Sequence, residues 1–143
     1  MSTPAASSMT TDQTRSLIGR YYAAMAKGDR AALADIVAPH CEWLPPAAAP
    51  IDPVHGAGGI IDALAGKVIK TTFDLKQPFS LDVHETIVDG GTAVVRQRIK
   101  ATTIGGNPYD NEYCWVYHCA DGQIVKMIEY ADTLLASRAM GWA

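Results

Sequence analysis

The sequence predicts an α+β fold: a cone in which three N-terminal helices pack on a strongly curved antiparallel sheet. Two observations carry this reading. Apolar residues recur at helical spacing through the first half of the chain and change to strict alternation from Gln77 onward. Turn residues at Asp89-Gly-Gly91, Gly105-Gly-Asn-Pro108 and Asp121-Gly122 cut the second half into lengths suited to hairpin-linked strands. Helices first and hairpins afterwards is the α+β order, not the alternation of a doubly wound sheet.

Residues 1–10 read as a disordered tail of small and polar residues, without the basic and apolar regions of a secretory signal. Residues 11–140 read as one folded domain. Thr11 or Asp12 can cap a first helix that carries Leu17, Ile18, Tyr21, Tyr22 and Met25 on one side and ends at Gly28. Asp29 can cap a second helix with Leu33, Ile36 and Val37 inward, stopped by Pro39. His40 to Leu44 fits a short strand, and Pro45, Pro46, Pro50 and Pro53 keep the next stretch irregular. His55-Gly-Ala-Gly-Gly59 then opens a third helix with Ile60, Ile61, Leu64, Val68 and Ile69 on one face. Four strands follow, around Leu81–Glu85 and over Ala93–Thr103, Tyr109–Cys119 and Gln123–Tyr130.

Composition excludes several functions. The net charge of −3 is spread along the chain, with no basic stripe to neutralise phosphates, so no nucleic-acid partner is expected. No apolar run reaches the roughly 18 residues of a membrane span. Cys41, Cys114 and Cys119 make an odd set without C-x-x-C spacing, which argues against a disulfide scaffold or structural zinc and points to a reducing cytoplasm. No His, Asp or Glu pair at i, i+4 suggests a metal, and the glycines at 56, 58 and 59 follow no βαβ strand that would make a dinucleotide fingerprint. No cofactor is expected.

The order of helix, helix, Trp43 strand, proline loop, His55-Gly, helix and four-stranded meander resembles the nuclear transport factor 2-like superfamily over about residues 12–138. Pro108-Tyr-Asp-Asn-Glu-Tyr-Cys-Trp-Val-Tyr117, with Asp121-Gly-Gln-Ile124 and Ile128-Glu-Tyr-Ala-Asp-Thr133, resembles the C-terminal hairpin of its SnoaL-like domains. The resemblance implies a homodimer and an apolar pocket, and it includes ketosteroid isomerases, limonene epoxide hydrolases and polyketide cyclases. Tyr21 matches the isomerase tyrosine, but the place of that family's base falls at Leu44–Pro45 and of its second acid at Cys114. In the epoxide hydrolase comparison Glu129 and Arg96 match, whereas Arg98 stands where the first aspartate belongs.

Glu129 is therefore the leading candidate for general acid/base, since an apolar wall raises a carboxylate's pKa; a solvated carboxylate paired with Arg96 or Arg98 is the structural alternative. Tyr21 can donate to an oxyanion or serve as a core tyrosine, and Trp43 and Met127 would line the pocket. Arg96, with Arg98 and Lys100, belongs to a solvated face unless the register turns it inward to hold a carboxylate. His40 and His55 flank the proline loop at the mouth. Asp132 can cap a short final helix or bond near Asn111. If Asp121-Gly122 closes a two-residue hairpin, Cys114 lies opposite Glu129, and Glu112, Cys114 and Val116 join the pocket wall. A three-residue loop would instead turn Tyr113, Trp115 and Tyr117 inward. With the first register, those aromatics would form a dimer interface on the open face of the sheet. The expected function is cofactor-independent acid/base catalysis on a hydrophobic small molecule, of isomerase, lyase, cyclase or epoxide hydrolase type. The alternative is a non-catalytic binding or accessory domain of the same fold.

Overall fold

The computed structural model describes residues 8–142. Helix α1 (Thr11–Lys27) is capped one residue earlier than expected. Thr10 accepts the Gln13 amide proton through its hydroxyl, and the Gln13 side chain accepts the Thr10 amide proton in return, a reciprocal box that satisfies two otherwise orphaned donors. Met9, just before it, is buried in the core. Residues 9 and 10 therefore belong to the fold and not to the tail; residues 1–7 lie outside the described residues. Gly28 closes α1 in the left-handed conformation, and Asp29 caps α2 (Arg30–Ile36).

Strand β1 (Val37–Leu44) begins directly after α2, three residues earlier than His40. Pro39 does not stop the helix; it sits inside the strand, within a break in register between Val37 and Glu42, where a missing N–H costs no ladder bond. Residues 45–53 are irregular, and β2 (Val54–His55) pairs back onto β1. The third helix is one continuous rod of three parts: α3 (Ala57–Asp62), a π-helical stretch (Ala63–Lys67) and α4 (Val68–Thr72). Strands β3 (Ser80–Asp89), β4 (Thr92–Thr102), β5 (Pro108–Ala120) and β6 (Gln123–Ala131) follow, and α5 (Thr133–Met140) ends the fold.

The six strands form one sheet in the order β2-β1-β6-β5-β4-β3. The last four are the expected antiparallel meander. Strand β1 lies parallel to β6, so the sheet is mixed and not wholly antiparallel. No short turn joins these two strands, and antiparallel pairing is not imposed on them.

The hairpin of β5 and β6 sets the rest. Its turn is the two-residue Asp121-Gly122, both at positive φ (54° and 76°), and Ala120 pairs with Gln123. Regular pairing from there would place Cys114 opposite Glu129. A bulge at Val125 breaks that count: Cys119 pairs with Ile124, but His118 pairs with Lys126, and every pair beyond is displaced by one. Trp115 lies opposite Glu129. Without the bulge Lys126 would face the core. With it Lys126 lies on the outer face, 3.9 Å from Glu42, and Met127 is wholly buried.

Candidate active site

On β5 the odd-numbered residues face inward. Tyr109, Asn111, Tyr113, Trp115, Tyr117 and Cys119 are buried, while the even-numbered positions between them are more exposed. This face, α1, the third helix and α5 enclose an apolar cavity of about 270 Å³. Its walls include Tyr21, Tyr22 and Met25 from α1, Trp43 from β1, and Leu64, Val68 and Ile69 from the third helix. Pro46 and Pro50 of the irregular loop and Met140 and Trp142 at the C-terminal end complete it.

Glu129 lines this cavity. Among the described residues it is the one carboxylate that does so. Desolvation pushes its pKa up to about 7, opposed only in part by a hydrogen bond from the Trp43 indole N–H to Oε1 (3.1 Å). That bond holds one oxygen and leaves the other for a ligand. At neutral pH the protonated and ionised forms are both populated, the condition under which one carboxyl can both take and give a proton.

Around it stand tyrosines that stay protonated. Burial holds the hydroxyls of Tyr21, Tyr22, Tyr113 and Tyr117 well above the ordinary tyrosine pKa. The Tyr22 and Tyr117 hydroxyls share a hydrogen bond of 2.7 Å, and the Tyr21 ring packs against both. In such a pair one proton is used internally and the other remains available to an acceptor. The Tyr109 and Tyr113 hydroxyls form a second pair, braced by Asn111 Nδ2, which donates to Tyr109 (2.9 Å) and to the Asp132 carbonyl (3.1 Å). Asp132 also caps α5 through the Leu135 amide. The Trp115 ring stacks on Tyr117 at 5.7 Å, which makes this wall continuous and stiff.

Of the residues expected at the site, the structure brings together Glu129, Tyr21 and Trp43, with Met127 buried on the same face of the sheet beneath them. The others stand elsewhere. Glu112, Cys114 and Val116 point to the outer face, because the Val125 bulge gives Glu129 the same side as Trp115. Arg96 is on that outer face too, bound to Glu85 (3.3 Å) and Glu112 (3.2 Å). His40 is exposed and does not line the cavity. His55 pairs with Glu42 at 3.1 Å on the surface. The aromatic residues of β5 thus form the pocket wall instead of an open-face interface. Burial pushes the Cys41 thiol up to about 12 and Cys119 up to about 11, so neither supplies a thiolate.

Sequence reasoning missed Tyr22, Gln97 and the α5 contribution, and put Cys114 on the wall where the structure has Trp115. A signal for the last was present. Four of the five odd positions from 109 to 117 are aromatic, and the even ones from 110 to 118 are Asp, Glu, Cys, Val and His.

A curved mixed sheet closed by helices over an apolar cavity with a single desolvated carboxylate defines a small-molecule-binding class of α+β domain. The SnoaL-like domain family matches residues 18–127, and the chain belongs to that family, within the nuclear transport factor 2-like superfamily. Similar solved structures agree on the fold. A nuclear transport factor 2-like protein from Burkholderia xenovorans LB400 is 20% identical, with a TM-score of 0.77 over 92% of this chain and 98% of that one. A candidate SnoaL-like polyketide cyclase from Jannaschia sp. CCS1 is 18% identical, with a TM-score of 0.76 over 100% and 98%. TerC, co-crystallised with polyporic acid, is 20% identical, with a TM-score of 0.75 over 90% and 98%. No curated protein matches the sequence. No helix among the described residues is long and apolar enough to cross a membrane.

Proposed function

We propose that this chain is a cofactor-independent acid/base enzyme acting on a hydrophobic small molecule, with Glu129 as the group that moves the proton. The observation that carries the proposal is Glu129 itself, in an apolar cavity, with its pKa pushed up to about 7 and one oxygen held by Trp43. The step common to isomerases, lyases and aldol-type cyclases is loss of a C–H proton beside a carbonyl. Glu129 carboxylate takes that proton, and the C–H electron pair moves into an enolate. A tyrosine hydroxyl of the Tyr21, Tyr22 and Tyr117 cluster donates to the enolate oxygen; Glu129 then returns the proton to the same or another carbon. Arg96 lies on the outer face, which removes the epoxide hydrolase arrangement from this reading.

The test is solvent exchange. With the protein present, tetralone in deuterated buffer should acquire deuterium beside its carbonyl faster than in the same buffer without protein, and Glu129→Gln should lose the acceleration while remaining folded. The absence of His40, His55 and Arg96 from the cavity favours one alternative, a non-catalytic binding domain. Binding of tetralone without any enzyme-dependent exchange would establish that alternative.

The same reading includes a homodimer. Leu44, Ile128, Val116, Val94 and Ile87 are successive cross-strand partners, so they form one apolar row over β1, β6, β5, β4 and β3 on the outer face. Ile87 is 58% exposed and the other four are partly exposed, and a second copy of this row is a self-complementary cover.

A further inference from the structure

Two polar groups in the cavity wall have no hydrogen-bond partner among the described residues. The Gln97 amide oxygen and the Trp115 indole N–H are buried, at 3% and 6% residue exposure, and neither makes a hydrogen bond to the described residues. Both residues line the cavity that holds Glu129. They occupy adjoining rows of the inner sheet face: Trp115 pairs across to Glu129, and Gln97 pairs across to Tyr113, two residues further along β5. Position 97 is flanked on β4 by inward-facing Val95 and Ile99, both buried. An amide there costs desolvation that a Leu or Met would avoid.

We infer that Gln97 and Trp115 are specificity-determining residues that select a ligand bearing a hydrogen-bond donor and a separate acceptor on an apolar ring skeleton. The Trp115 N–H is a donor only, so it requires an acceptor such as a carbonyl or ether oxygen. The Gln97 amide oxygen requires a donor such as a hydroxyl. Both atoms are closed to solvent in the structure, so their desolvation cost stands until a ligand seated against them supplies the missing partners. A hydrocarbon of the same shape cannot do so; a hydroxylated ketone can. This selection rests on the cavity being the ligand site and is independent of whether Glu129 performs chemistry there.

The experiment is calorimetric titration with three probes on one skeleton, tetralin, tetralone and hydroxytetralone, against wild type, Gln97→Leu, Gln97→Met and Trp115→Phe. Wild type should prefer hydroxytetralone to tetralin by about tenfold or more, the worth of one or two buried hydrogen bonds. Each Gln97 variant should lose the preference for hydroxytetralone over tetralone, and Trp115→Phe the preference for tetralone over tetralin. The Trp115 indole N–H resonance, assigned by its loss in Trp115→Phe, should move with the ketones and not with tetralin. The melting temperatures of the Gln97 variants should equal or exceed wild type, which separates recognition from a structural role. Equal affinity for tetralin and hydroxytetralone, or a preference for hydroxytetralone over tetralone that survives both Gln97 variants, overturns the inference and leaves the cavity reading standing. Failure of all three probes to bind wild type overturns both.

Discussion

The proton that Glu129 would move in the proposed reaction is also linked to stability. The Glu129 pKa lies near 7 in the folded protein, against the ordinary value of 4.5. Below pH 4.5 the side chain is protonated in both folded and unfolded chains. Between 4.5 and 7 the unfolded chain releases the proton while the folded one keeps it, so stability falls as pH rises through this window and levels off above it. The gap corresponds to about 3 kcal/mol. Glu129→Gln cannot ionise, so its stability relative to wild type should grow from pH 4 to pH 8 by about that amount, read by urea denaturation at each pH. A constant difference would mean that Glu129 is solvated in the folded state. Trp43 acts on the same proton from the other side, since its N–H favours the carboxylate. Trp43→Phe should raise the Glu129 pKa above wild type, measured by carbon NMR titration of the labelled carboxyl, and shift the onset of proton exchange to higher pH.

At the scale of elements, the β5–β6 hairpin decides which residues form the site. Asp121-Gly122 is legible in the sequence as a two-residue turn, and the turn forms as read. The bulge at Val125 is not legible, because no glycine or proline marks it. It arises from a conflict: continuous alternation would bury Lys126 and expose Met127, and one extra residue reverses both. The neighbouring turn has a different constraint. A Cβ on Gly91 would sit 2.6 Å from the Cys119 carbonyl oxygen, while the Gly91 carbonyl accepts the Cys119 N–H at 2.7 Å. The obstacle is backbone and cannot rotate away. Gly91→Ala should therefore cost about 2–3 kcal/mol in urea denaturation, more than Gly58→Ala, where nothing lies within 4 Å.

Over the whole molecule, the sheet has two faces of different character. The inner one holds the aromatic wall and the cavity. The outer one carries the apolar row from Leu44 to Ile87, bordered by the ion pairs of Arg96 with Glu85 and Glu112 and of Arg98 with Asp110. The bordering charges are exposed and contribute little to stability themselves, but in the proposed dimer they would set the register in which two copies meet. Val116 is at the middle of the row, on the central of its five strands. Val116→Lys should convert a wild-type dimer into a monomer in light scattering while leaving the cavity and tetralone binding unchanged. A monomeric wild type would remove the dimer and leave the outer row as ordinary surface.

The α+β class and the order of elements follow from local features, namely periodicity, caps and turn residues, whereas the choice of Glu129 and Trp43 comes from the family resemblance. The local features act within a few residues and can be read along the chain. What Trp43 does was decided only in three dimensions, where its indole meets a carboxylate 86 residues away. The face of Glu129, the exclusion of Cys114, Glu112 and Arg96, and the burial of unpartnered polar atoms of Gln97 and Trp115 in the cavity wall were likewise settled by tertiary structure. Strand alternation has a period of two, so a single unsignalled bulge reverses every assignment beyond it. The preference for burying Met127 over Lys126 resolves that ambiguity, and it acts only once β6 is packed in the sheet.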